Sequence, residues 1–152
     1  MGAVNYGTNK YFNIGMDLSP DYDEYDYQCE YEYQFEETQN TIDKYNFNFF
    51  KIGIENGYYE GFYIWIDFDF LYFDDWNEKR AMLKEITQLK LLLNELCYNG
   101  LVKYSAGWCM GYYTESETKQ AIKSAIKEIK QNILNIPTWK KYHAQRKLKS
   151  CL

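Results

Sequence analysis

The sequence has no run of about 18 apolar residues, so no membrane-spanning helix is predicted. Histidine occurs once, at His143, so no His-rich zinc site is expected, and no metal is predicted. Proline occurs only at Pro20 and Pro137, and no Gly/Ser-rich linker divides the chain. Cys29, Cys97, Cys109 and Cys151 are scattered without a CxxC pair and read as free thiols. Residues 1–10 show no basic flank leading into an apolar core, which predicts no secretory signal and a cytoplasmic location. Residues 5–9 match no P-loop or dinucleotide fingerprint, so no nucleotide cofactor is expected.

Aromatic side chains are plentiful: 20% of 152 residues, with 17 Tyr, 9 Phe and 4 Trp, which excludes a disordered chain. The length suits one domain, read as a unit over 1–136 followed by a basic helical tail at 137–152. The net charge of −5 conceals a division. Residues 1–76 carry 16 acidic and 3 basic side chains, net −13, whereas residues 77–152 carry 6 and 14, net +8. Such asymmetry points to charged partners.

Residues 10–17 alternate as a short strand, and Ser19-Pro20 reads as a helix start. From 25 to 35 the odd positions are Tyr25, Tyr27, Cys29, Tyr31, Tyr33 and Phe35, a strand-like alternation. Tyr31, Phe35, Thr38, Ile42 and Tyr45 also fall on one helical face. A helix is expected over about 30–44, with 21–29 open between helix and strand. Residues 46–55 and 61–72 form a predicted hairpin around Asn56-Gly57, with Phe62, Ile64, Ile66, Phe68 and Phe70 facing the core. A helix over about 77–98, capped by Asp75 or Asn77, buries Met82, Ile86, Leu89, Leu93 and Leu96. Strand character resumes at 101–104 and extends through 107–111, and a helix running to about 134 buries Ile122, Ala125, Ile126, Ile129 and Ile133. Pro137 precedes a last basic helix over 138–149. The order predicts an α+β fold: an antiparallel sheet of about four strands with helices on one face, ferredoxin-like βαββαβ plus a C-terminal helix.

Four constellations carry chemistry. Residues 17–43 hold ten carboxylates and no Lys or Arg, interleaved with tyrosines. Carboxylates arrayed on a rigid element mimic a phosphate backbone, and tyrosines add contact area at low entropic cost. The expected partner-binding residues are Asp21, Asp23, Tyr25, Asp26, Tyr27, Glu30, Tyr31, Glu32, Tyr33, Glu36 and Glu37. The plain alternative is a solvated acidic face. Asp67, Asp69, Asp74 and Asp75 suit a divalent cation but lack a lysine or histidine at motif distance, and solubility of the outer face explains them more cheaply. Glycines at 107 and 111 bracket Trp108 and Cys109, so Trp108, Cys109 and Tyr112 are candidate walls of a small-ligand pocket, such as one that sequesters a nucleotide signal. Cys109 has no base in place to make it a nucleophile, and no catalytic residue is assigned. Lys119, Lys123, Lys127 and Lys130 form a stripe that joins Lys140, Lys141, Arg146, Lys147 and Lys149. These lysines suit a phosphate backbone, with Trp139, Tyr142 and His143 available to stack on bases, although a solvated helix face is the simpler reading. The stripe equally suits the acidic tract of the same molecule or of a second copy, the latter making a homodimer.

Residues 1–8, 57–62, Gly107-Trp108-Cys109 with Gly111-Tyr112, and Pro137-Thr138-Trp139 together resemble small accessory proteins, themselves uncharacterised, of phages and integrative elements of Gram-positive bacteria. The resemblance implies a counter-defence setting, where anti-CRISPR-like proteins are often small, acidic, non-enzymatic mimics of nucleic acid. The leading expectation is therefore an inhibitor that binds a host nuclease complex through its acidic face.

Overall fold

A computed structural model of the chain describes residues 6–14, 24–56, 62–98 and 115–150. Three strands, β1 (Tyr6–Ile14), β2 (Lys51–Asn56) and β3 (Phe62–Phe70), form a sheet of order β1-β3-β2. Both outer strands run antiparallel to β3, with Tyr6 opposite Phe70 on one side and Lys51 opposite Asp67 on the other. Four helices complete the described fold: α1 (Glu24–Asp43), α2 (Trp76–Tyr98), α3 (Glu115–Asn135) and α4 (Trp139–Ser150).

The period-2 pattern of β3 sets the layers. Ile64, Ile66 and Phe68 are buried on the inner face, while Tyr63, Trp65 and Asp67 are half-buried and Asp69 is exposed on the outer one. Each apolar side chain so buried contributes roughly 1.5–3 kcal/mol. The inner face meets Met82, Ile86, Leu89, Leu92, Leu93 and Leu96 of α2 and Ile122, Ala125, Ile129 and Ile133 of α3 in a single core. The helix α1 lies against β2 and α2, and α3 lies against α2 and β1.

The expected four-stranded ferredoxin-like sheet is corrected. The described residues hold three strands of 9, 6 and 9 residues, outweighed by helices of 20, 23, 21 and 12. The sequence called for a fourth strand at 101–104 and 107–111, which lies outside the described residues. A run that short, bounded by glycines, has no period long enough to identify a strand. The open stretch 21–29 divides: 24–29 belongs to α1, so the alternating tyrosines lie on a helix, and 21–23 fall outside the described residues. The helical seam prevails because Tyr31, Phe35, Ile42 and Tyr45 pack on the core, and the buried Thr38 and Thr41 hydroxyls donate to carbonyls one turn back, Gln34 O at 2.8 Å and Glu37 O at 2.9 Å. The turn residues 57–61 are likewise outside the described residues.

The helix α2 starts on Asp75, whose Oδ1 accepts the Glu78 N–H at 2.9 Å, while Glu78 reaches back to accept the Asp74 N–H at 3.0 Å. This reciprocal pairing closely follows a capping box, with Asp in the role of Ser or Thr. The Phe73 backbone forms a parallel bridge with Thr138: its N–H donates to Pro137 O at 2.9 Å, and its carbonyl accepts from the Trp139 N–H at 2.6 Å. Phe73 itself is completely buried, so the link between α3 and α4 is pinned to the corner between β3 and α2.

Candidate functional site

Two surfaces of opposite charge stand out. The first is the outer side of α1. Its 20 residues include seven carboxylates and no Lys or Arg. At a rise of ~1.5 Å per residue this is one negative charge per roughly 4 Å, close to the ~3.4 Å per charge along one nucleic-acid strand. Glu32, Glu36 and Glu37 are exposed, and Tyr33 between them is 61% exposed. Tyr31 turns the other way, stacks on Phe35 at 6.0 Å between centroids and joins the core. Tyr25, Asp26, Tyr27 and Glu30 are part of α1, whereas Asp21 and Asp23 lie outside the described residues. By spacing, Glu32 and Glu36 are like charges at i, i+4, and the last turn has no basic residue to complement the helix dipole. The Glu32–Glu36 pair and the acidic last turn therefore work against the helix that displays them.

The nearest lysine along the chain is already engaged. Lys44 Nζ lies 3.3 Å from Glu95 Oε1, and the Tyr45 hydroxyl donates to Glu95 Oε2 at 2.6 Å. The hydrogen bond to the Glu95 carboxylate, with burial and the carboxylate charge adding to it, pushes the Tyr45 phenol up to about 12. The same bond holds the Glu95 carboxyl below its ordinary range, burial opposing and Lys44 assisting. A second α2 carboxylate, the buried Glu85, accepts the Phe49 N–H at 3.0 Å and the Phe50 N–H at 3.5 Å, so it anchors the approach to β2.

The second surface surrounds the start of α4. Tyr72 stacks on Tyr142 at 5.0 Å and lies 4.8 Å from the Trp139 ring, and His143 stacks on Trp139 at 5.3 Å. Arg146 sits 5.9 Å from the Tyr142 ring. Trp139 remains 46% exposed above the buried Tyr142, and Lys140 and Lys141 beside it are exposed. No Asp or Glu occurs in α4. Lysines in the first turn oppose the helix dipole, so positive potential is concentrated there at some cost to the helix. Nearby, Lys79 is only 5% exposed, and its ammonium donates to Leu134 O at 2.7 Å and Ile136 O at 2.8 Å, closing the end of α3. Its Nζ is also 5.1 Å from the ring of Trp76, which is 59% exposed. Burial, and secondarily the charge of Lys141, lowers the Lys79 pKa.

The sequence marked Trp139, Tyr142 and His143 at i, i+3 and i+4. It gave no sign of Tyr72, Trp76 and Lys79, which the Phe73–Thr138 bridge brings to the same corner. Lys119, Lys123, Lys127 and Lys130 are exposed along α3. The proposed pocket walls Trp108, Cys109 and Tyr112 lie outside the described residues. Asp67, Asp69, Asp74 and Asp75 do not converge with other ligands: among the described residues no group of three His, Cys, Asp or Glu side chains is placed to hold a metal. Among the same residues no helix is long and apolar enough to cross a membrane. No family model, no curated protein and no solved structure matches the chain.

Proposed function

We propose that this chain is a non-enzymatic inhibitor that occupies a Lys/Arg-lined nucleic-acid channel of a host nuclease complex, an anti-CRISPR-like counter-defence factor of a phage or mobile element. The observation that carries the reading is the outer side of α1, where Glu32, Tyr33, Glu36 and Glu37 project from a continuous helix without a single cation. Averaged over its whole length, the helix carries one carboxylate per roughly 4 Å, a density comparable to that of a phosphate strand. Tyr33 adds an aromatic anchor of the kind enriched at interface hot spots. Thr38 and Ile42 are buried and Phe35 packs on the core, so α1 is docked on the body with Glu32, Tyr33, Glu36 and Glu37 outward, which lowers the ordering cost of binding. The counter-defence setting comes from the sequence resemblance.

The test is capture from a host lysate, followed by nuclease inhibition and salt titration with the purified partner. The expected result is a nuclease complex whose binding weakens with salt and is abolished by Glu32→Lys, Glu36→Lys and Glu37→Lys combined. Binding and inhibition that survive this reversal would defeat the mimicry reading.

A further inference from the structure

The geometry points to a second binding activity: the face made by Tyr72, Trp139, His143 and the first-turn lysines of α4 binds single-stranded nucleic acid, with a base stacked on the Trp139 indole. This stands apart from the α1 reading, because it uses another helix and the opposite charge. The ring platform is pre-built. Tyr142 is buried at 6.1 Å from the indole, Tyr72 braces Trp139 at 4.8 Å, and His143 stacks on it at 5.3 Å. The indole is therefore fixed in orientation yet keeps 46% of its surface free. Immobilising a flexible aromatic on binding would cost rotamer entropy, and here that cost falls on folding instead.

Charge surrounds the platform. Lys140 and Lys141 are exposed in the same turn as Trp139, Arg146 lies over Tyr142, and α4 has no carboxylate to neutralise them. Across the corner, Lys79 bonds to Ile136 O, which places the exposed Trp76 ring beside the segment that leads into α4. Exposed rings set among cations are the pattern of single-strand binding, in which the backbone tracks the positive groove and bases stack on aromatics. A paired duplex hides its base faces, whereas a single strand offers both phosphates to the lysines and a base to the Trp139 indole.

The experiment uses the full chain and fluorescein-labelled oligothymidylate and oligouridylate of roughly 20 nucleotides, read by anisotropy and by tryptophan emission at several salt concentrations. Binding is expected with quenched emission, and the logarithm of the affinity should fall linearly with the logarithm of salt. Trp139→Ala should weaken it about 5- to 150-fold, as loss of one stacked base does, while Trp139→Phe retains most of it. Lys140→Gln with Lys141→Gln should lower the salt slope by roughly 1.4, for two phosphate contacts, with circular dichroism unchanged. Either of three results overturns the proposal: no anisotropy change at low salt, equal binding by the Ala and Phe variants, or equal competition by polyglutamate. A dimer that dissociates in the lysine variant would also overturn it, by assigning the face to the α1 of a second copy.

Discussion

Replacing Lys79 by methionine keeps the apolar stem and deletes the ammonium that closes α3. Two hydrogen bonds from a charged donor, at 2.7 and 2.8 Å, disappear, and the carbonyls of Leu134 and Ile136 lose that partner. Bonds to charged groups are worth ~1.5–3 kcal/mol each, and the desolvation of the ammonium, relieved in the variant, offsets part of the loss. The net expectation is a destabilisation of about 2–4 kcal/mol. For a domain of this size that corresponds to a fall in Tm of roughly 5–15 °C, read by circular dichroism or calorimetry at neutral pH. A pH signature accompanies it. Burial, followed by Lys141, lowers the native pKa of Lys79 from its ordinary 10.5, so below that value the unfolded chain binds more protons than the native one. Stability due to this group therefore rises with pH through the window that ends near 10.5, and Lys79→Met should remove that rise. A variant with Tm within about 1 °C of the parent would refute the claim that the Lys79 ammonium closes the end of α3.

Two further outcomes follow from other contacts. Glu95→Gln should return the Tyr45 phenol from about 12 toward 10.0, measured by NMR titration of tyrosine-labelled protein. In the parent, Tyr45 makes stability fall as pH rises between those values, while Glu95 contributes stability above the usual carboxylate range that is lost as pH drops through its lowered pKa. Gly53→Ala should lower the urea midpoint by the equivalent of roughly 1–3 kcal/mol, and Trp65→Val added to it should restore part of the loss. The reason is that a Cβ at Gly53 would overlap Cζ2 and Cε2 of the indole of Trp65, its cross-strand partner.

Elements whose buried faces obey a single period were legible in advance. Ile64, Ile66 and Phe68 alternate because only one face of β3 is covered, and Met82, Ile86, Leu89, Leu93 and Leu96 repeat because α2 crosses the core along its whole length. Tyr25 to Tyr33 misled, since an alternation of tyrosines satisfies a strand as well as the exposed side of a helix. What decides is tertiary: Phe35, Ile42 and Tyr45 have a core to pack on. The acidic face is visible in composition, because charge needs no contact map. The aromatic corner was half-visible, Trp139, Tyr142 and His143 sharing one helical side. Lys79 and Tyr72 were not, because backbone carbonyls and a ring from a distant strand end leave no local pattern.

The bridge between Phe73 and Thr138 has a kinetic meaning. Among the described residues, α4 is joined to the other half of the chain at Tyr72 and Phe73. Closing so long a loop is entropically expensive until α2 and α3 are in place, which makes the docking of α4 a late event on the folding route. The same dependence predicts that α4 opens before α2, so its amides should exchange with solvent well before those of α2. An oligonucleotide seated on Trp139 would slow that exchange selectively, turning the order of unfolding into a report on binding.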